Sequence, residues 1–253
     1  MAVPDSIQRF SSRVGNYVRY RPTYPSAVLD LLKNDCLTPA SVIADIASGT
    51  GIFTRMLLEN GNRVFGVEPN AEMRHAGEEF LRAYPHFTSV VGRAEATTLP
   101  DHRVDLVTAA QAAHWFDREK ARREFIRICR PGGWTVLLWN ERRPGSTPFL
   151  REYEQLLVEY GTDYQDVRSE RTTEQIRTFF PPSRFHVRTF DYCQDFNYPA
   201  LEGRLLSSSY TPQADDARHV PMLRELRRIF DAHQVHDRVT FEYDTRVYYG
   251  QLG

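Results

Sequence analysis

Short apolar runs alternate with helical stretches between residues 41 and 140, and this alternation constrains the fold more than any other feature. The runs SVIADI, RVFGVE, FTSVVG, VDLVTAA and WTVLLWN are rich in branched residues, as strands buried on both faces are. Strands that alternate with helices pair in parallel and carry helices on both faces of the sheet. The sequence therefore predicts a doubly wound, Rossmann-like α/β fold.

The pattern changes after Asn140. The turn-rich stretch ERRPGSTP leads into an amphipathic helix, FLREYEQLLVEYG, and the helical pattern PMLRELRRIFDAHQ follows later. The segments RFHVRTFDYCQDF and VTFEYDTRVYYGQL alternate like strands, without a crossover of the earlier, regular kind. We expect these two segments to form an antiparallel edge pair. The sheet would then be seven-stranded and mostly parallel, with an antiparallel edge strand.

The turn DIASGTGIFTR joins the first predicted strand to a helix, and its residues Gly49 and Gly51 let the backbone approach a ligand. A dinucleotide-binding turn has a third glycine where this chain has Thr54, and Asp45 would repel a pyrophosphate. The same carboxylate attracts an ammonium group, while Glu68 after the second strand can accept hydrogen bonds from ribose hydroxyls. A ligand with a ribose, a positive charge and no phosphate satisfies both acids. S-adenosylmethionine is such a ligand.

Four motifs occur in order over about residues 40–140: DIASGTG, GVEPNAEM, GRAEATTLPDHRVDLVTAAQAAHWFD and RPGGW. Together they resemble the class I S-adenosylmethionine-dependent methyltransferases. The chain is most similar to their small-molecule group, which includes trans-aconitate-methyltransferase-like proteins. The resemblance implies transfer of a methyl group by in-line displacement to an oxygen, nitrogen or carboxylate of a small molecule. We expect one methyltransferase domain, 1–253, with a cofactor-binding core at 40–140 and a helical cap built from 1–39 and 143–220.

The resemblance also assigns cofactor contacts. The assigned residues are Asp45, Ala47, Gly49, Gly51, Glu68, Pro69, Asn70, Met73, Ala94, Glu95 and Gln111. Two positions depart from the family pattern. Ala47 stands at the first glycine position, which alanine can fill if its φ is negative. Arg93 stands where many relatives have an acid that contacts the adenine amino group, so backbone amides or Glu95 would have to replace that contact.

Candidate catalytic residues are His114, as the proton acceptor, and Arg21, which could bind either the cofactor carboxylate or an anionic substrate. Each has a structural alternative, since His114 could fix its loop and Arg21 could pack the N-terminal segment. Met73 could likewise be plain core. Trp115 and Phe116 could close the end of the sheet as an aromatic plug. Further candidates for the substrate pocket walls are Trp139, Tyr153 and Tyr210.

The formal net charge of −1 gives no electrostatic argument for nucleic acid or for an anionic membrane. Three cysteines without a CxxC pair predict reduced thiols, a cytoplasmic protein and no metal site. We expect a monomer or homodimer. Two rival functions remain, a non-catalytic S-adenosylmethionine-binding relative and, less favoured, a nicotinamide oxidoreductase. Nucleic-acid methylation is disfavoured because AAQAAHWFD lacks the Asn/Asp-Pro-Pro-aromatic pattern of many base methyltransferases.

Overall fold

The computed structural model describes residues 20–165, 179–180 and 185–253. Parts of the predicted cap, 1–19, 166–178 and 181–184, lie outside the described residues. The strands are β1 (Val42–Ile46), β2 (Arg63–Val67), β3 (Phe87–Val90), β4 (Val104–Ala110), β5 (Cys129–Arg142), β6 (Phe185–Phe196) and β7 (Val239–Gly250). These seven strands form one sheet in the order β3-β2-β1-β4-β5-β7-β6.

The first five strands are parallel, whereas β7 runs antiparallel to both of its neighbours, β5 and β6. This topology confirms the predicted Rossmann-like sheet and its antiparallel edge pair. Cys129 directly follows the helix that ends at Ile128, but its backbone is extended (φ −76°, ψ 141°) and it begins β5. The stretch from Arg130 to Gly133 is an irregularity in the pairing of β5 with β4.

The helices are α1 (Ser26–Asp35), α2 (Ile52–Glu59), α3 (Ala71–Leu81), α4 (Arg118–Ile128), α5 (Pro148–Tyr160), α6 (Tyr198–Leu206) and α7 (His219–His233). Side-chain caps fix where several of them begin. Asn70 accepts a hydrogen bond from the Met73 amide at the start of α3, and Asp117 accepts one from the Lys120 amide at the start of α4. In the part of the chain that the structure describes, no helix has both the length and the apolar character needed to cross a membrane.

Two apolar clusters cover the faces of the sheet, and a third lies beneath α5, α6 and α7. This third group, the cap cluster, packs on the first part of β7 through Phe241 and Tyr243. In register, Tyr243 of β7 is opposite Arg142, the last residue of β5, so residues 239–242 extend beyond the carboxyl end of β5. The overhanging β6–β7 pair thereby carries the cap cluster past the carboxyl edge of the parallel strands.

The chain reverses its direction of strand addition between β1 and β4, which are neighbours in the sheet. The loops that follow these two strands diverge at such a point and leave a crevice at the carboxyl edge. The glycine turn follows β1 and Gln111 follows β4. The sheet thus brings the predicted cofactor residues together.

Candidate cofactor and acceptor site

The turn after β1 contains three residues with left-handed backbone: Ala47 (φ 54°), Gly49 (φ 56°) and Gly51 (φ 86°). Gly51 is the N-cap of α2. A Cβ at this position would lie 2.6 Å from Leu81 Cδ1, so both the available space and the positive φ favour glycine. Ala47 therefore does not have the negative φ that was expected of an alanine at the first glycine position. Alanine adopts the left-handed conformation at a cost of about 1–2 kcal/mol, which the surrounding turn must offset.

Asp45 is buried at the carboxyl end of β1. It accepts hydrogen bonds from Thr54 Oγ1 (2.6 Å) and from Thr108 Oγ1 (2.8 Å). Burial raises the pKa of this carboxyl to about 6, and the two hydroxyl donors oppose that shift. Thr54, which replaces the third glycine of a dinucleotide turn, therefore orients the acid. Sequence reasoning missed this role for Thr54 and Thr108, although a hydroxyl residue at the third-glycine position was a usable signal.

Glu68 ties the glycine turn to the end of β2. Its Oε2 accepts from the Gly49 amide at 2.9 Å, and its Oε1 accepts from the Asn70 amide at 2.9 Å. Burial raises the pKa of Glu68, while these two backbone donors lower it. Each carboxylate oxygen can accept a further hydrogen bond. Glu68 therefore fixes the turn and can also receive ligand hydroxyls.

A cavity of about 430 Å³ adjoins this carboxylate and is called the Glu68 cavity. Its predicted lining residues are Ala47, Gly49, Glu68, Pro69, Asn70, Met73, Ala94, Glu95 and Gln111. Trp115 and Phe116 also line it. Arg93 reaches this cavity too, with its Nε 3.8 Å from Glu95 Oε2, while Glu95 Oε1 accepts from the Asp117 amide. The position of the usual adenine-binding acid is thus occupied by a cation whose side chain is 58% exposed.

A second cavity of about 320 Å³, the Arg204 cavity, lies on the other side of the turn. Both cavities are lined by Ala47, Gly49, Ala110 and Gln111. Asp45 and Arg21 also line the Arg204 cavity. Arg21 Nη2 donates a hydrogen bond to the Ser207 carbonyl at 2.9 Å. Trp139 and Tyr210 line it as predicted. Tyr153 is fully buried behind Arg142, whose guanidinium carbon lies 5.0 Å from the Tyr153 ring centre.

His114 occupies a short 3-10 turn, Ala113–Trp115. Both of its ring nitrogens are shielded from solvent, and its ring centre lies 4.6 Å from that of Trp115. His114 is not among the described residues that line the two cavities. The structure therefore brings Arg21 to the site but leaves His114 beside Trp115, outside the described lining of both cavities. The catalytic role of His114 stays a prediction.

Sequence reasoning missed several polar residues of the Arg204 cavity, among them Arg142, Glu154, Arg204 and Tyr243. Arg142 Nη2 pairs with Glu154 Oε2 at 2.7 Å and also donates to the Tyr164 hydroxyl. These residues come from β5, α5, α6 and β7, which no local motif connects. No pattern in a single sequence could have predicted that these residues lie together.

The sheet order, the glycine turn and the two buried acids are typical of an enzyme that binds a nucleoside. Comparison with known proteins identifies the family. A family model described as a methyltransferase domain matches residues 44–137. An uncharacterized methyltransferase of Mycobacterium tuberculosis is 34% identical over 229 residues, which cover 88% of this chain and 86% of the relative. The chain belongs to the class I S-adenosylmethionine-dependent methyltransferases, and S-adenosylmethionine is its cofactor.

Solved structures share the fold. A proposed type II methyltransferase from Anaeromyxobacter dehalogenans superposes with a TM-score of 0.67 at 21% identity, covering 92% of this chain and 98% of the other. Phosphoethanolamine N-methyltransferase 2 of Haemonchus contortus, in complex with S-adenosyl-L-methionine, gives a TM-score of 0.57 at 14% identity. That match covers 98% of this chain and 59% of the Haemonchus protein. Membership in this family removes the nicotinamide oxidoreductase alternative, whereas the trans-aconitate-like subgroup stays a prediction.

The residues of the turn fit this cofactor. Asp45 offers a buried carboxylate to an ammonium group, and Glu68 offers two acceptor oxygens to hydroxyls. Thr50 Oγ1 is buried in the same turn and has no hydrogen-bond partner among the described residues. A buried hydroxyl without a partner costs free energy, which a polar ligand group can recover. Asp45 and Glu68 therefore offer hydrogen-bond acceptors to the ammonium group and the hydroxyls of the cofactor, and Thr50 offers a donor.

Proposed function

We propose that this methyltransferase transfers a methyl group to an oxygen, nitrogen or carboxylate of a small molecule. The observation that carries the proposal is the Arg204 cavity, about 320 Å³ in volume, which meets the Glu68 cavity at the glycine turn and Gln111. A space of this size lies at the small end of ligand pockets. It is suited to a metabolite and is lined by both charged and aromatic side chains.

Contacts between distant segments enclose the cavity. Asn140 Nδ2 donates to the Thr23 carbonyl at 2.8 Å, and Thr245 Oγ1 donates to Asn140 Oδ1 at 2.6 Å. The Tyr20 ring lies against Gly203, where an added Cβ would come within 2.2 Å of ring carbons. These contacts tie the N-terminal segment 20–25 to β5 and α6. They support the prediction of a single domain whose cap elements lie within 1–39 and 143–220.

The protein's contribution to the reaction is placement and exclusion of water. S-adenosylmethionine supplies, when bound, a methyl group activated by its sulfonium. Asp45 would hold the methionine end of the cofactor and Glu68 its ribose. The acceptor atom would lie near Gln111, where the two cavities meet. Holding a nucleophile in line and close gives most of the available rate. Trp139 and Tyr243 would keep water from it.

The need for a base depends on the acceptor. A hydroxyl or amine acceptor needs a group to take its proton, and His114 is the candidate. A carboxylate acceptor needs no base, and a cation that binds it then becomes more important. Turnover that is nearly unchanged in His114→Ala would dismiss His114 as the base.

The test is methyl transfer from cofactor labelled in its methyl group to four separate pools: small metabolites, tRNA, DNA and protein. We expect label in the metabolite pool. Robust transfer to a macromolecular pool alone would contradict the small-molecule proposal. Cofactor binding without transfer to any pool would favour the non-catalytic alternative. That alternative is disfavoured by the part of the Arg204 cavity beyond Asp45, which binding of the cofactor alone does not require.

A further inference from the structure

Arg204 is a buried arginine of α6 whose polar groups are incompletely satisfied. It is 6% exposed and lines the Arg204 cavity. Its Nη1 donates to Ser208 Oγ at 3.2 Å, but its buried Nε has no hydrogen-bond partner within the described ranges. No carboxylate of the described residues lies within 4 Å of its guanidinium. Burying a cation in this way is costly, and it is tolerated where a ligand completes the interaction.

Tyr243 presents a second unsatisfied donor to the same cavity. It lies on β7, is 1% exposed, and its hydroxyl has no partner in the part of the chain that the structure describes. Side chains alternate between the two faces along a strand. Tyr243 therefore faces the cap cluster and the cavity, whereas Tyr248, five residues further along β7, packs in the cluster on the opposite face.

The acids that line the cavity are engaged elsewhere. Glu154 Oε2 pairs with Arg142 at 2.7 Å, and Glu141 Oε2 lies 3.3 Å from Arg246 Nε. Asp45 accepts hydrogen bonds from two threonine hydroxyls and is the acid assigned to the cofactor's ammonium group. The charge on Arg204 therefore has no acid matched to it among the described lining residues.

We propose that Arg204 and Tyr243 together bind an anionic group, a carboxylate or a phosphate, on the methyl acceptor. A guanidinium and a hydroxyl that both donate hydrogen bonds are complementary to the oxygens of either group. The inference rests on the proposed small-molecule function and narrows the acceptor to an anionic metabolite. Arg204 and Tyr243 are then specificity-determining residues, and neither is required to hold the cofactor.

The cofactor's own carboxylate is the competing occupant of Arg204. Arg21 is the alternative partner for that carboxylate, because it also lines the cavity and hydrogen-bonds the chain one residue before Ser208. The two cases are separated by the affinity for S-adenosylhomocysteine, which carries the same carboxylate. If Arg204 binds the acceptor, S-adenosylhomocysteine affinity stays within about twofold in Arg204→Met. A loss of about tenfold or more in that variant would overturn the proposal.

The acceptor class is tested by separating a metabolite pool on ion exchangers into anionic, neutral and cationic fractions. Each fraction is then assayed for methyl transfer from labelled cofactor. We expect the label in the anionic fraction, and phosphatase treatment of that fraction distinguishes a phosphate acceptor, which is lost, from a carboxylate acceptor, which persists. Label confined to the neutral or cationic fractions would overturn this inference and leave the small-molecule function intact. Transfer to no fraction would contradict both.

Two variants then locate the binding point. Arg204→Met and Tyr243→Phe should each raise the KM for the active anionic fraction by about tenfold or more. Arg227→Met, at an exposed arginine of α7, and Tyr248→Phe are the matched controls. Tyr248 is informative because its hydroxyl is also buried without a partner in the described residues, yet it lines neither cavity.

A thermal melt separates binding from packing. If Arg204 is retained for a ligand, Arg204→Met should leave the melting temperature unchanged or raise it, since it removes a buried, unmatched charge. If Arg204→Met does not fold, Tyr243→Phe carries the test alone, because it removes only a hydroxyl. An equal effect of Tyr243→Phe and Tyr248→Phe on the KM would overturn the proposal.

Discussion

The two cavities differ in how their polar groups are satisfied. On the cofactor side, at the Glu68 cavity and the glycine turn, the buried acids Glu68 and Asp45 accept hydrogen bonds from the turn, from α2, from β4 and from the start of α3. Around the Arg204 cavity, Arg204 Nε and the Tyr243 hydroxyl have no partner among the described residues. The acids of the cofactor half are preorganised by the protein itself, and the Thr50 hydroxyl of the turn remains as a donor for the cofactor. The second half keeps donors that only a further molecule can satisfy, which is how a site gains specificity at the expense of stability.

The largest effect expected from breaking the cofactor half is at Gly49. Its φ is 56°, it lines both cavities, and an added Cβ would lie 3.3 Å from Met73 Cε. Gly49→Val should therefore lower S-adenosylhomocysteine affinity by about 100-fold or more. Isothermal calorimetry measures this change. Gly51 is a less clean target, because a side chain there would also displace Leu81.

Gly61→Val is the matched control for Gly49→Val. Gly61 also has a left-handed backbone, with φ 92°, but an added Cβ there would meet no atom within 4 Å, and it precedes β2 at the opposite edge of the sheet. Both variants carry the strain of a branched residue at positive φ and should lose similar stability. Tight cofactor binding by Gly49→Val, or equal weakening by Gly61→Val, would contradict the placement of the cofactor at the turn.

The next largest effect concerns Asp45 and has a characteristic pH dependence. Burial raises its pKa from 3.8 in the unfolded chain to about 6 in the folded protein. The folded state therefore binds the proton more tightly, so this carboxyl's contribution to the free energy of unfolding is present below about pH 4 and is lost as the pH rises through about 6. Cofactor affinity should change in the opposite direction, because the ammonium group of the ligand requires the ionised acid.

Asp45→Asn should remove the contribution of Asp45 to both dependences. We expect it to lower cofactor affinity at pH 8 by roughly 10- to 150-fold, the loss of a hydrogen bond to a charged group. At the same pH the variant should be at least as stable as the parent, because no buried charge remains at position 45. Denaturant unfolding and calorimetry at pH 5 and pH 8 measure the two quantities. Glu68 has a pKa that is raised by burial and, to a smaller extent, by the Asp45 charge, so the difference between parent and variant reports Asp45 together with this coupling. A variant that binds normally at pH 8 would refute the assignment of Asp45 to the ammonium group.

A pair of helical glycines allows each half of the site to be disturbed separately. In α6, a Cβ at Gly203 would meet the Tyr20 ring at 2.2 Å, while in α3 a Cβ at Gly77 would lie 3.0 Å from the Gly49 carbonyl oxygen. Gly203→Ala should displace the segment that carries Arg21 and raise the acceptor KM by about tenfold. Gly77→Ala should instead weaken cofactor binding. Steady-state kinetics with calorimetry decides, and the same profile in both variants would show that the two halves are not independent.

The cofactor half could be predicted from sequence because its residues are local. A strand, a glycine turn and a helix fix Asp45, Gly49 and Glu68 within one βαβ unit, and the periodicity of the chain sets that unit. The acceptor half could not be predicted in the same way. Arg142 and Tyr243 meet because β7 pairs antiparallel with β5 in one register, and a single strand pattern does not specify a partner or a register. The φ of Ala47 was missed because tertiary contacts, not propensity, impose it.

The smallest expected effect is at Ala47, and it tests whether the cofactor turn is strained. Replacing alanine by glycine at φ 54° relieves about 1–2 kcal/mol of left-handed strain, but it adds about 0.4–1 kcal/mol of unfolded-state entropy. Ala47→Gly should therefore be more stable by up to about 1.6 kcal/mol, and each kcal/mol raises the melting temperature by about 2–4 °C for a chain of this size. Ala112→Gly is the control, because Ala112 is another alanine that lines the Glu68 cavity but has φ −123°. With no strain to relieve, it should lose stability. If Ala47→Gly and Ala112→Gly lower the melting temperature equally, then the turn after β1 holds alanine without strain and the left-handed geometry at Ala47 is contradicted.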